Sequence, residues 1–333
     1  MIDIKHYISE ITKGNIIYLS KALTLIESKK PADKKISNNL LNSCYNLSGN
    51  SIRIGISGSP GVGKSSLIDE IGCYLTSINK KVAVLTIDPS SSESQGSILG
   101  DKTRMEKLSK EKYAFIRPSP NSGFLGGVNE KTSESIILCE AAGFDVILIE
   151  TVGVGQSEIE VDSMVDFFLL LTISNTGDEL QGIKKGIIEK SHSIVITKHD
   201  GNNIQNNLIT QNILKNVINL RNIKNKKWTQ KIILCSSHKK KGIIEIWKTI
   251  SNYIDISKKN GSFLSKREKQ SIFWMNTRIN NNIKNIFFSN PKITKEILKL
   301  KKLVLDKKIN PYEASELLFE NFFILKKGIK DSY

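Results

Sequence analysis

The chain has 333 residues, 39% of them hydrophobic, which is enough to bury a full core and to carry one sizeable domain with smaller attachments. Its longest apolar run, FFLLL at 167–171, falls far short of the ~20 residues a membrane helix needs and abuts Asp166, which excludes a helical span. The net charge of +16 comes from Lys distributed along the whole chain, and no basic segment carries the interleaved aromatics that stack bases, so nucleic acid is not an expected partner.

Cys44, Cys73, Cys139 and Cys235 are scattered without a C-x-x-C pairing and read as reduced, mostly buried thiols, not as a disulfide framework or a zinc cage. The opening MIDIKHYISEITKG carries Asp3 and Glu10 and no continuous apolar stretch. Neither a secretory signal nor a basic transit peptide is written there, and a cytoplasmic address is expected.

Up to about residue 48, apolar residues recur at helical spacing: Ile8, Ile11, Ile16 and Leu19, then Leu23, Leu25 and Ile26, then Leu40, Leu41 and Tyr45. From Ile52 the pattern changes to short apolar runs separated by helical stretches: IRIGIS, KVAVLTI, YAFI, DVILIE, FFLLLTI, SIVIT and KIILC. Such alternation implies parallel β-α-β units, hence an α/β fold with a doubly wound, mostly parallel sheet. After Ser257 the strand signal stops. The tail from Phe263 to Lys327 reads as helices, first around Ile272, Phe273, Ile279, Ile283 and Phe287, then ITKEILKLKKLVLD, then NPYEASELLFENFF. The last has Asn310 as cap, Pro311 at the first helical position and Glu313 placed to reach back to the cap.

The strand RIGIS runs into Gly58-Ser59-Pro60-Gly61-Val62-Gly63-Lys64-Ser65 and then into the helical pattern SSLIDEIGCYL, which is G-x-x-x-x-G-K-S in its strand-loop-helix setting. Glycines let backbone N–H groups turn inward around a β-phosphate, the helix amino terminus adds partial positive charge, and Lys64 reaches the β- and γ-phosphates. Ser65 offers a hydroxyl to Mg²⁺, with Ser66 beside it in the first turn. Two carboxylates fall at strand ends, Asp88 after KVAVLTI and Glu150 closing DVILIE, on the edge where doubly wound sheets hold ligands. Each could instead cap the loop that follows. Asp101, in GSILGDKTRM, sits on a loop and is weaker on physical grounds alone. Mg²⁺ takes few carboxylates, several waters and phosphate oxygens, so Asp88, Asp101 and Glu150 need not all bind it directly.

The strand SIVIT ends in Thr197-Lys198-His199-Asp200, close to the N-K-x-D box that reads guanine. The Asp200 carboxylate accepts from guanine N1–H and the exocyclic amino group, a bidentate contact that adenine cannot make. Lys198 would lay its methylenes along the base. Thr197 stands where such boxes carry Asn, which normally ties this loop to the P-loop, so the substitution bears on that brace more than on specificity. One strand later, KIILC leads into Ser236-Ser237-His238, similar to the loop whose backbone N–H meets guanine O6.

At this point the residues resemble a known family. DPSSSESQGSILGDKTRM (88–105), RPSPNSGFLGG (117–127), ETVGVGQSE (150–158), VDFFLLL (165–171) and GDELQGIKKGI (177–187) resemble hallmark segments of MeaB/ArgK-type GTPases, G-protein chaperones of adenosylcobalamin-dependent methylmalonyl-CoA mutase related to the methylmalonic aciduria type A protein. REKQSIFWM (267–275) resembles the start of the family's carboxyl-terminal dimerisation region. The resemblance implies a GTPase in which Lys64, Asp88, Asp101 and Glu150 serve hydrolysis and Ser65 and the carboxylates serve Mg²⁺. It also implies a second switch from Gly153 to Glu158 that includes Gln156, and a third with Asp178, Glu179, Gln181 and Lys184 that couples nucleotide state to the mutase. The expected division is a helical extension at 1–48, a P-loop GTPase domain at 49–257 and a helical dimerisation region at 258–333.

Three other readings stay open at this level. A metallochaperone GTPase for nickel, zinc or cobalt would usually show a His-rich or Cys/His-clustered site, whereas His6, His192, His199 and His238 are dispersed. A P-loop kinase would need an acceptor site and usually an arginine-bearing lid. An assembly scaffold, in which nucleotide locks a dimer and hydrolysis is incidental, differs from a chaperone only in its turnover.

Overall fold

All seven apolar runs form strands in the computed structural model, which describes residues 3–28, 30–87, 104–119, 125–151, 161–174, 185–221 and 228–330. They are β1 (Ile52–Gly58), β2 (Val82–Ile87), β3 (Ala114–Ser119), β4 (Val146–Thr151), β5 (Phe167–Thr172), β6 (Ser193–Ile196) and β7 (Lys231–Leu234). Every pairing is parallel, in the order β3-β2-β4-β1-β5-β6-β7. Chain order reverses around β1: the crossover that leaves it runs to β2 on one side, and the one that leaves β4 runs back past it to β5. Such a reversal is where doubly wound sheets open a ligand crevice at the carboxyl ends of their strands.

Period-2 alternation sends the strand residues into two cores. Ile54, Ile56, Val146, Leu148, Phe167, Leu169 and Leu171 join α4 (Lys64–Ser77) and α8 (Ile243–Lys259) on one face. Ile147, Ile149, Phe168 and Leu170 face the other way, toward α5 (Leu125–Ala141), α6 (Lys185–Lys190) and α7 (Ile204–Arg221). The first residues of the chain form α1 (Ile4–Thr12), α2 (Ile16–Glu27) and α3 (Pro31–Tyr45), whose Ile11, Leu19, Leu23, Ile26 and Leu40 are buried in that second core. Of the apolar residues read as one helical face, Ile16 and Tyr45 stay exposed.

At the amino-terminal edge of the sheet, Arg53 at the start of β1 makes two bonds of 2.8 and 2.9 Å to Glu140 of α5. Arg267, in α9 (Ser262–Phe288), bonds the same carboxylate at 3.1 Å and grips both oxygens of Asp166 at 2.7 Å. Asp166, the charge that interrupts the apolar run at β5, is thereby neutralised in place. Buried charges persist only when paired and hydrogen-bonded in this way.

The chain divides into two compact units, Met1–Trp274 and Met275–Tyr333, so α1–α3 belong to the unit that contains the sheet. The second unit holds the end of α9 with α10 (Pro291–Leu305) and α11 (Pro311–Lys330). Asn290 caps α10 by accepting from Lys292 N at 2.9 Å, and Asn310 caps α11 by accepting from Glu313 N at 2.8 Å, each followed by Pro at the first position. Phe287, Ile293, Leu300 and Ala314 form its small interior, and Phe287 stacks on Phe319 with ring centroids 5.3 Å apart. Met275, Ile279, Ile283, Ile286 and Phe288 are exposed along α9. Among the described residues no helix is long and apolar enough to cross a membrane.

Candidate functional site

Because the sheet is parallel, the segments after β1, β4, β6 and β7 leave from one edge, which brings four of the sequence-read motifs together. The loop after β1 turns only because of its glycines. A Cβ on Gly58 would lie 2.6 Å from the Leu171 carbonyl oxygen, and Gly63, the N-cap residue just before α4, sits at φ 95°. Lys64 Nζ donates to the carbonyls of Gly58 at 2.7 Å and Ser59 at 3.0 Å, so the ammonium is held inside the loop. Val62 is wholly buried, while Pro60, Gly61 and Ser66 are exposed around the rim.

Glu150 lies on β4 opposite Ile56 of β1 and Thr86 of β2. It shares strand parity with Val146 and Leu148, which puts it on the α4 side of the sheet, where Ser65 is the second residue of the helix. Ser65 Oγ donates to Glu150 Oε1 at 3.1 Å. Two hard oxygen donors at that spacing suit Mg²⁺, since neighbouring ligands of an octahedron with 2.0–2.1 Å bonds lie about 3 Å apart. Among the described residues no group of three or more His, Cys, Asp or Glu could hold a metal, and the oxygen pair of Ser65 and Glu150 is what the described residues offer at this point.

The base loop lies beyond β5, two strand spacings or about 10 Å from β1. Lys198 is exposed and adopts φ 53°, a left-handed conformation that costs a non-glycine residue about 1–2 kcal/mol. Ser236 Oγ donates a short hydrogen bond to Asp200 Oδ2 and accepts from Lys239 N at 3.0 Å, so the loop after β7 orients the carboxylate of the loop after β6. Ser237 is half-buried and His238 exposed in the same turn. The brace on which the Thr197 substitution bears is present: Thr197 Oγ1 donates to the Val62 carbonyl at 2.6 Å. A hydroxyl makes the link that an amide makes elsewhere, because the end of β6 lies close enough to the P-loop for the shorter side chain.

A family model described as "Methylmalonyl Co-A mutase-associated GTPase MeaB" matches residues 19–292. The chain belongs to the MeaB family of GTPases. Among curated relatives, "GTPase ArgK" of Escherichia coli (strain K12) is 39% identical over 320 residues, covering 95% of this chain and 97% of that protein. "Methylmalonic aciduria type A homolog, mitochondrial" of Mus musculus is 40% identical over 322 residues, covering 94% of this chain and 78% of that one. The solved structure of a "LAO/AO transport system kinase" matches with a TM-score of 0.76 at 32% identity, over 97% of this chain and 99% of that chain. This MeaB-family chain is a P-loop GTPase that binds GTP and GDP.

Of the site residues read from sequence, Asp88, Asp101, Gly153, Gln156, Asp178, Glu179, Gln181 and Lys184 lie outside the described residues. One contributor was missed. Asn207 of α7 is fully buried, and its Nδ2 donates to the Thr197 carbonyl at 3.2 Å. The signal was available: Asn207 sits on the same helical stripe as the buried Thr210, Leu214 and Ile218, where a polar residue needs a partner.

Proposed function

We propose that this GTPase is a chaperone of an adenosylcobalamin-dependent acyl-CoA mutase, methylmalonyl-CoA mutase or a close relative, and that GTP hydrolysis gates cobalamin loading and protects the enzyme. What carries the reading is the match over residues 19–292 to a family described as mutase-associated. The paired Ser65 and Glu150 support its chemistry. Lys64 and the P-loop amides take up charge on the transferred phosphoryl group, and Asp200, steadied by Ser236, holds guanine. Ser65 and Glu150 would hold Mg²⁺, which would supply positive charge against the phosphate oxygens, with Asp88 and Asp101 as further candidate partners, directly or through water. Gly153, Gln156, Asp178, Glu179, Gln181 and Lys184 form the segments that report nucleotide state to the mutase. The chain acts as a homodimer through its carboxyl-terminal helices, a role the exposed apolar row from Met275 to Phe288 suits.

Turnover by the isolated chain is slow, and a stoichiometric mutase accelerates it by completing the site. Steady-state GTP hydrolysis with and without the mutase tests this. Rapid hydrolysis by the chain alone refutes the gating, and unchanged turnover in a tight complex makes the protein a scaffold instead.

A further inference from the structure

We propose that Asp69 and Glu70, in the second turn of the P-loop helix α4, are positioning residues for GTP hydrolysis: they fasten the turn from Arg104 to Lys110, which follows the candidate carboxylate Asp101 in the chain, to the helix that carries Ser65. The inference rests on the Mg²⁺ reading of the site and deepens it. Both acidic residues are buried, Asp69 at 8% and Glu70 at 7% exposure, one turn beyond the phosphate loop. A carboxylate withdrawn from water is costly unless it has a partner. Both find one in the connection between β2 and β3. Asp69 Oδ1 accepts from Leu108 N at 2.8 Å, and Glu70 Oε1 accepts a short hydrogen bond from Lys107 Nζ. Lys240 Nζ, 3.9 Å from the other Glu70 oxygen, adds a second countercharge.

Gly72 completes the clasp. Glycine is unfavourable inside a helix. A Cβ at this position would lie 2.4 Å from Leu108 Cδ2, so only the bare backbone of α4 admits that wholly buried side chain. Met105, also wholly buried, joins Leu67, Ile68 and Ile71 of α4 in one core. The turn is closed by Ser109 N donating to Met105 O at 3.0 Å and by Lys110 N donating to Lys107 O at 3.2 Å, so it docks on α4 as a unit. Asp69 stands four residues, about 6 Å of helix rise, from Ser65. Three residues of chain span at most about 10 Å, and Arg104 follows Asp101 by three positions. Pinning the turn to α4 therefore returns the chain close to the Ser65–Glu150 pair, and less order has to be imposed on Asp101 when nucleotide binds.

The test uses the full-length chain with Asp69→Leu, Asp69→Asn and Gly72→Ala. The leucine variant loses the acceptor, the asparagine variant keeps it, and the alanine variant leaves both carboxylates in place while displacing Leu108. Single-turnover GTP hydrolysis is expected to fall about tenfold or more in Asp69→Leu and Gly72→Ala, the weight of one hydrogen bond to a charged group, with more Mg²⁺ needed for half-saturation. Asp69→Asn restores most of the rate. GDP affinity without Mg²⁺ stays within about threefold in all three. Amide hydrogen exchange of Met105–Lys110, measured without metal or nucleotide, speeds up in Asp69→Leu and not in Asp69→Asn. A lowered melting temperature with unchanged turnover and Mg²⁺ dependence would mark a merely structural clasp and overturn the proposal, as would unchanged exchange or an asparagine variant as slow as the leucine one. Asp101→Asn separates the two readings. Unimpaired hydrolysis there removes Asp101 from the site and the proposal with it, whereas impaired hydrolysis there beside normal rates in Asp69→Leu and Gly72→Ala overturns the clasp alone.

Discussion

Glu150→Asp is the sharpest probe of the proposed metal seat, because the structure limits what can compensate. Glu150 is paired on both sides, to Ile56 and to Thr86, so its backbone cannot advance toward Ser65 without slipping the centre of the sheet. Removing one methylene withdraws the carboxylate by about 1.5 Å and takes the 3.1 Å contact with Ser65 beyond hydrogen-bonding reach. A hydrogen bond to a charged group is worth about 1.5–3 kcal/mol. If that stabilisation is lost in the transition state, GTP turnover falls roughly 10- to 150-fold. GDP affinity, which the proposed reading assigns to Lys64, the P-loop and Asp200, stays within about threefold, since neither end of the nucleotide loses a direct contact. The assay is Mg²⁺-dependent GTP hydrolysis, alone and with the mutase, alongside GDP titration. Glu150→Gln keeps the reach and removes the charge, which separates the two contributions. Full turnover in Glu150→Asp would refute the argument that the extra methylene sets the geometry.

Two further outcomes follow from the same structure. Arg267→Met leaves Asp166 and Glu140, whose side chains are 2% and 0% exposed, short of a countercharge, and is expected to cost about 3–5 kcal/mol in urea unfolding; a loss below about 1 kcal/mol would mean that the network relaxes. Burial pushes the thiols of Cys44 and Cys73 up to about 11 and that of Cys235 up to about 12, with Cys139 raised further, so native protein should resist alkylation at neutral pH except for slow reaction at half-buried Cys73. Rapid native labelling of Cys235 would show that the base loop opens.

What the sequence determined by itself was everything written in local pattern. The strands were legible because a strand buried on both faces is a short uninterrupted apolar run, as in VILIET and FFLLLT. The phosphate loop was legible because its turn needs glycine at fixed steps, and Asn310-Pro311 marked a helix start because a cap acts only on the turn beside it. The strand-end position of Glu150 could be read; its hydrogen bond to Ser65, 85 residues away, could not. That contact needed the strand order that sets β4 against β1, together with the parity that turns Glu150 toward α4. The Thr197 brace spans 135 residues and runs against the expectation drawn from its residue type, because only the packed sheet decides how far a side chain must reach. The ion network is the same kind of feature. Arg53, Glu140, Asp166 and Arg267 are isolated charges in the sequence, and only folding, by removing them from water together, makes each depend on the others.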